Sequence, residues 1–405
     1  MFRPEILAPA GNLFKLKTAV RYGADAVYIA GREFGLRSAA DNFTSAEIMA
    51  GVAFAHAHGA KVYIVLNAFL FDEALQRLPP FLARLEEAGV DALIISDLGV
   101  VETVRAHCKI PVHLSTQSSV LNIQAARLWK KLGVTRIVLG REVTIEQAGR
   151  IKSESGLEVE MFTHGAMCMA YSGHCTISNY TAGRDSNRGG CVQSCRFRYT
   201  LASEPNGEGP ISNFFSSKDL QGVAHLDRFI DAEIDSLKIE GRMKSALYVA
   251  TAARAYVAAR DAAMGKDTVL SAAALLEELD TMSHRDYTSA SLLEPAGGDS
   301  VYHQDEGSSH THEMAGYVVD VKADAHTAIF LKNPLQSGEP LYMLTPDGGI
   351  VLLETSSMRA LTGQTISKGQ PNHVVLLPYH PKANVDLLLR VPKHVEVSGH
   401  SAAIG

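Results

Sequence analysis

The sequence predicts a (β/α)8, TIM-barrel-like domain followed by a small β-barrel-like domain. Three observations carry that prediction. Eight short apolar runs alternate with amphipathic stretches down to Glu240, the pattern of parallel strands covered by helices on their outer side. Glycine stands at the helix exits, as in Tyr22-Gly23, His58-Gly59, Ala88-Gly89 and Leu132-Gly133, where a left-handed residue ends a helix at little steric cost. Beyond a polar stretch at 294–314 the pattern turns to short alternating strands with turns, which suits a compact all-β unit. A doubly wound open sheet is the alternative for the first part.

In chain order, the apolar runs lie at Glu5 to Ala8, Ala26 to Ala30, Lys61 to Asn67, Ala92 to Ser96, Val112 to Ser115, Arg136 to Gly140, Val159 to Thr163 and Ser236 to Glu240. Eight is the number that closes a barrel, and barrel active sites sit at the carboxyl ends of the strands. Those ends carry Asn12, Asn67, Asp97, Ser115, Gln117, Arg141, Glu142, His164, Glu240, Arg242 and Lys244. For any one of them a helix cap or a loop position is the plain alternative; the set is more informative than its members. Ser245 to Met264 reads as a long alanine-rich helix, and Ser271 to Met282 as a second. The expected division is a barrel domain at 1–293, a linker at 294–314 and a β-domain at 315–405. Within that linker, His303, His310 and His312 invite a metal reading, but a solvated connector suits the aperiodic composition better.

One segment stands apart. Val159 to Arg198 holds four of the five cysteines, with six, fifteen and three residues between Cys168, Cys175, Cys191 and Cys195. Thiolates are soft ligands, and four so close together suit a metal centre held by cysteine, an iron–sulfur cluster first. Zinc fits less well, because only Cys191 and Cys195 form the tight knuckle of a structural zinc site. Disulfides need an oxidising compartment that nothing else suggests. In this scheme the segment is an excursion between the seventh and eighth strands, at the barrel mouth. Cys108, at a helix end before Pro111, reads as a small buried hydrophobe.

The runs EMFTHGAMCMAYSGHC and GGCVQSC, with PEILAPAGN, YGADAVYIAG, SSKDL, SLKIEGRMKS and SHRDYTSASL, resemble the collagenase-like peptidases of unknown catalytic type. Within that family they resemble the branch that makes 5-hydroxyuridine at the tRNA wobble position. The resemblance covers essentially the whole chain. It implies oxygen-independent hydroxylation with a 4Fe–4S cluster on the four cysteines and prephenate as the source of the hydroxyl group, acting on the tRNA anticodon loop. Arg141, Glu142, His164, Glu240 and Arg242 are then the candidate catalytic residues. Prephenate carries two carboxylates, for which guanidinium groups are natural clamps. Arg141, Arg242 and Lys238 form one candidate set for it, and Arg184, Arg188 and Arg196 the other. The loop arginines could equally neutralise a thiolate-bound cluster.

Composition excludes little and motifs exclude more. A net charge of −6 argues against a uniformly basic nucleic-acid binder, so RNA would have to meet a local patch. No apolar run approaches a membrane span and the N-terminus lacks a signal-peptide core, which points to the reducing cytoplasm. There is no dinucleotide fingerprint, Walker loop, zinc-protease helix or nucleophile elbow. The peptidase name therefore gets little support, although Ser172 beside His174 could tempt a reader. Ribosomal-RNA or quinone-ring hydroxylation, and a non-enzymatic electron-transfer subunit, are the other functions to be weighed.

Overall fold

Eight parallel strands close on themselves in the computed structural model, which describes residues 2–35, 41–203, 207–298 and 309–393. They are β1 Glu5–Pro9, β2 Ala26–Ile29, β3 Lys61–Leu66, β4 Ala92–Ile95, β5 Val112–Leu114, β6 Arg136–Val138, β7 Glu158–Ala166 and β8 Ser236–Ile239. Each pairs with the next, and β8 pairs with both β7 and β1, so the sheet is a barrel and not an open doubly wound layer. Helices such as Leu13–Arg21, Ser45–Ala57 and Ile145–Ser155 connect the strands, and Ala246–Ala263 follows the eighth. The four helix-exit glycines all take the left-handed conformation, with φ between 75° and 92°. The last long helix is tied to the first strand: buried Arg260 donates to the Pro4 carbonyl and pairs with Asp25.

The barrel interior is not the layered aliphatic core usual for this architecture. Glu5, Arg136, Glu160 and Lys238 project from four different strands into a charged column. Arg136 donates to Glu5 at 2.7 Å and lies 3.5 Å from Glu160, while the Lys238 ammonium donates to Glu160 at 2.8 Å. Tyr63 and Ser236 donate to Glu5 at 2.7 and 2.9 Å. Glu160 is 0% exposed and Arg136 5%, so neither can trade its partner for water. Removing one member of such a buried set strands the others. Arg136→Met is therefore expected to destabilise the fold by about 3–5 kcal/mol, read from denaturant unfolding; a change within 1 kcal/mol or so would mean the column rearranges freely.

β7 runs past the barrel rim. Its last residues, His164 to Ala166, pair antiparallel with the short strand Asp219–Gln221, which in turn pairs with Tyr287–Thr288. The cysteine segment leaves from the end of β7 and returns onto the same strand. The chain divides into two compact units. One comprises Met1–Leu279, Ser283–Ser309 and Pro346–Gly348, and the other Asp280–Met282, His310–Thr345 and Gly349–Gly405. The second unit contains an antiparallel sheet of seven strands, with the separate pair Leu335–Gln336 and Lys368–Gly369. His312 opens one of its strands, His312–Lys322, and His303 lies outside the described residues. Among the described residues no helix is long and apolar enough to cross a membrane.

Candidate active site

At the carboxyl ends of the strands lies a cavity of about 520 Å³. Its floor is built from inward side chains of the strands: Tyr28, Val65, Ile94, Val138, Phe162 and Lys238. The strand-end loops contribute Asn67, Gln117, Arg141, Glu142, Glu240 and Arg242, and the cysteine segment contributes all four of Cys168, Cys175, Cys191 and Cys195. The four thiols are free. Among the described residues no three His, Cys, Asp or Glu side chains stand close enough to share one metal ion, so the thiols outline a wall and not a ready single-ion shell. Burial pushes the Cys175 and Cys195 thiols up, and the neighbouring cysteines add to the shift; Arg196 opposes it at Cys195. Four thiolates gathered in this way repel one another unless a cationic centre lies between them.

The polar loop residues have distinct tasks. Arg141 donates to the Ala166 carbonyl at 2.7 Å and lies 4.1 Å from the Phe162 ring centroid, which fixes the plane of its guanidinium at the cavity wall. Lys238 lies 4.6 Å from the Tyr28 ring centroid and is held by Glu160. Arg242, which follows β8, is buried and lines the cavity. Glu142 accepts from the Ser172 amide at 2.7 Å and from its hydroxyl at 2.8 Å, and Ser172 sits at φ 46°. A carboxylate that holds a left-handed serine is a clamp on the cysteine segment. Gly140 makes room for it, since a Cβ there would come 2.7 Å from both the Glu142 carboxylate and the Ser172 hydroxyl.

Ser172 is thus committed to Glu142, and the His174 ring nitrogen is bonded to the Gln117 carbonyl. The pair is not a nucleophile and its base. Asn67 donates to Gln117 at 2.6 Å, inside the cavity. Asn12 and Asp97 are helix caps, accepting from the Lys15 amide and from the Gly99 and Val100 amides. Lys244 donates to the Ser283 carbonyl and does not line the cavity.

The family model described as Peptidase family U32 matches residues 11–301. This chain belongs to peptidase family U32. It is 41% identical over 355 residues to the tRNA hydroxylation protein P1 of Bacillus subtilis (strain 168), spanning 85% of this chain and 84% of that protein. It is 33% identical over 401 residues to the tRNA hydroxylation protein P of Escherichia coli (strain K12), spanning 86% and 88%. A third relative, the 23S rRNA 5-hydroxycytidine C2501 synthase of Escherichia coli (strain K12), is 40% identical over 251 residues, 61% of this chain and 38% of that protein.

Four of the residues expected at the site of this U32 chain stand off the cavity. His164 follows a β-bulge: Lys238 pairs with Phe162, yet the next residue, Ile239, pairs with His164. The extra residue, Thr163, reverses the alternation of β7. His164 therefore turns away from the barrel axis, into a cage of Tyr248, Tyr256 and Tyr287. Arg196 donates to the carbonyls of Met167 and Ser217 and to the Ser216 hydroxyl, which ties both ends of the cysteine segment together. Arg188 lies over the Phe71 ring, and Arg184 is exposed on the outer surface. Tyr28 and Phe162 were not anticipated; reading β2 and β7 as alternating strands rather than fully buried runs would have pointed both inward.

The caged histidine makes a pH prediction. Burial pushes the His164 pKa from 6.5 down to about 3; the Asp219 carboxylate opposes the shift, and Lys244 and His284 add to it. The unfolded chain binds a proton below pH 6.5 that the folded chain refuses. Stability contributed by the neutral ring is thus fully present above about pH 6.5 and declines by about 1.4 kcal/mol per pH unit as pH falls toward 3. Denaturant unfolding of wild type and His164→Gln between pH 7 and 4 should show the wild type with the steeper loss; parallel curves would rule the coupling out.

Proposed function

We propose that this U32 chain is a tRNA hydroxylase that converts the wobble uridine to 5-hydroxyuridine without oxygen, using a 4Fe–4S cluster and prephenate as co-substrate. The observation that carries the reading is the convergence of four free cysteines with Arg141, Arg242 and Lys238 on one cavity at the barrel mouth. The names of the relatives support RNA hydroxylation as the reaction class. Replacing C–H by C–OH withdraws two electrons from the base; if prephenate gives up its hydroxyl group in the exchange, the carbon whose C–O bond breaks takes up those two electrons and the proton the base loses, and a redox partner beside both would relay the electrons. The donor set fits such a partner, since four thiols are what a 4Fe–4S cluster takes. When bound, the cluster supplies or accepts electrons one at a time.

The chain's own residues then bind and orient. Arg141, fixed over Phe162, and buried Arg242 offer two guanidinium groups to the carboxylates of an anionic co-substrate. Lys238 and Tyr28 form the floor on which it rests, with Lys238 held upright by Glu160. Glu142 keeps the cysteine segment folded over the mouth and so helps to exclude water. A peptidase reading draws nothing from this site, where Ser172 and His174 are bonded elsewhere.

Nucleoside mass spectrometry of tRNA from cells lacking this chain tests the proposal. Loss of 5-hydroxyuridine derivatives, restored by the wild-type chain and dependent on prephenate supply, is the expected result. Unchanged tRNA in a strain with no redundant pathway would overturn it. Loss of a hydroxylated nucleoside from ribosomal RNA instead would move the assignment to that substrate.

A further inference from the structure

The outer face of the cysteine segment differs in charge and chemistry from the rest of the molecule. From Cys168 to Arg198 there are four arginines, Arg184, Arg188, Arg196 and Arg198, against one acid, Asp185, in a chain whose net charge is −6. Of these, Arg184, Arg188 and Arg198 are exposed. The same stretch displays large aromatic side chains to solvent: Tyr180 is 88% exposed, Tyr171 57% and Phe197 48%. Arg188 lies 3.5 Å from the ring centroid of Phe71, itself 66% exposed, so a planar cation–aromatic stack stands ready at the surface. Tyr171 also lines the cavity, which places that end of the stretch at the rim.

An aromatic ring left in water forfeits the stabilisation that burial would give it. Rings interleaved with arginines are what single-stranded nucleic acid uses: bases stack on the rings or on guanidinium planes, and phosphates meet the cations. We propose that this face is the docking platform for a single-stranded RNA loop. Bases stack on Tyr180 and Tyr171, phosphates meet Arg184 and Arg188, and the target base is handed over the Tyr171 rim into the cavity. The inference rests on the RNA-hydroxylase reading above. It assigns the base contacts to the cysteine segment.

The test is binding of a synthetic tRNA anticodon stem-loop to the full-length chain, followed by fluorescence anisotropy at several salt concentrations. Tyr180→Ala is expected to weaken binding about five-fold or more, and Tyr180→Phe, which keeps the stack, to bind as wild type. The double variant Arg184→Ala/Arg188→Ala should flatten the slope of log Kd against log salt by roughly 1.4. Leu361→Ala, an exposed apolar change on the β-unit, serves as control and should leave affinity unchanged. Circular dichroism checks that each variant is folded. Wild-type affinity in the Tyr180 and arginine variants would overturn the platform while leaving the hydroxylase reading to the nucleoside measurement, which does not depend on it. Variants that change only the oligomeric state, with RNA affinity intact, would also overturn it and mark the face as a contact between protein chains. If the wild-type chain bound no stem-loop at all, the platform would fall whatever the nucleoside result.

Discussion

Alanine at any one of Cys168, Cys175, Cys191 or Cys195 should leave anaerobically purified protein with well under half of its iron, against about four irons per chain in the wild type. The same change at Cys108 should have no such effect. The contrast follows from position. The first four thiols line one cavity, whereas Cys108 caps the helix Leu98–His107 on the outside of the barrel. With the proposed cluster bound, losing one thiolate would open it to solvent and remove a quarter of its ligand set, so modification should vanish with the iron. The broad visible absorbance of the wild type, followed with an iron determination, reads the effect directly. Stoichiometric zinc in protein isolated without oxygen would replace the iron reading with a structural one.

The second large effect is expected at Arg242. Arg242→Ala should lower tRNA modification by about two orders of magnitude, the loss of charge-assisted bonds to one carboxylate, with iron content and absorbance intact. Arg242→Lys keeps the charge but not the two-pronged geometry, and should recover only part of the activity. Arg141→Ala should behave alike if both guanidinium groups hold the same small anion. Raising the prephenate supply ought to rescue these variants partially, because the defect is in occupancy. Full modification in Arg242→Ala, measured by nucleoside mass spectrometry, would remove Arg242 from the site.

The strand positions and the barrel closure were legible because each strand is a local apolar run with a glycine-ended helix behind it. The cysteine set was legible for a similar reason, since it is contiguous in the chain. What the sequence hid was long-range. Glu5 and Arg136 stand at the starts of apolar runs and Glu160 inside one, and only closure of the barrel joins them, across 131 residues in the case of Arg136 and Glu5. The bond from Ser172 to Glu142 was equally hidden, because the two stand 30 residues apart. His164 stands at a strand end, where the barrel mouth is expected, but a single extra residue at Thr163 turns it away from the axis. Asn12 and Asp97 take the helix-cap alternative that their place just before a helix offers.

The return of the chain onto β7 has a polymer consequence. His164, Gly165 and Ala166 are paired with Gln221, Leu220 and Asp219, so everything between these two short strands is a tether whose ends are pinned side by side. The entropy of pinning such a tether grows only with the logarithm of its length, about 0.6 kcal/mol for each doubling. Barrel stability is thus nearly indifferent to how much chain is spliced into the tether. New surface can be added within the tether while the strands that pin its ends keep their register.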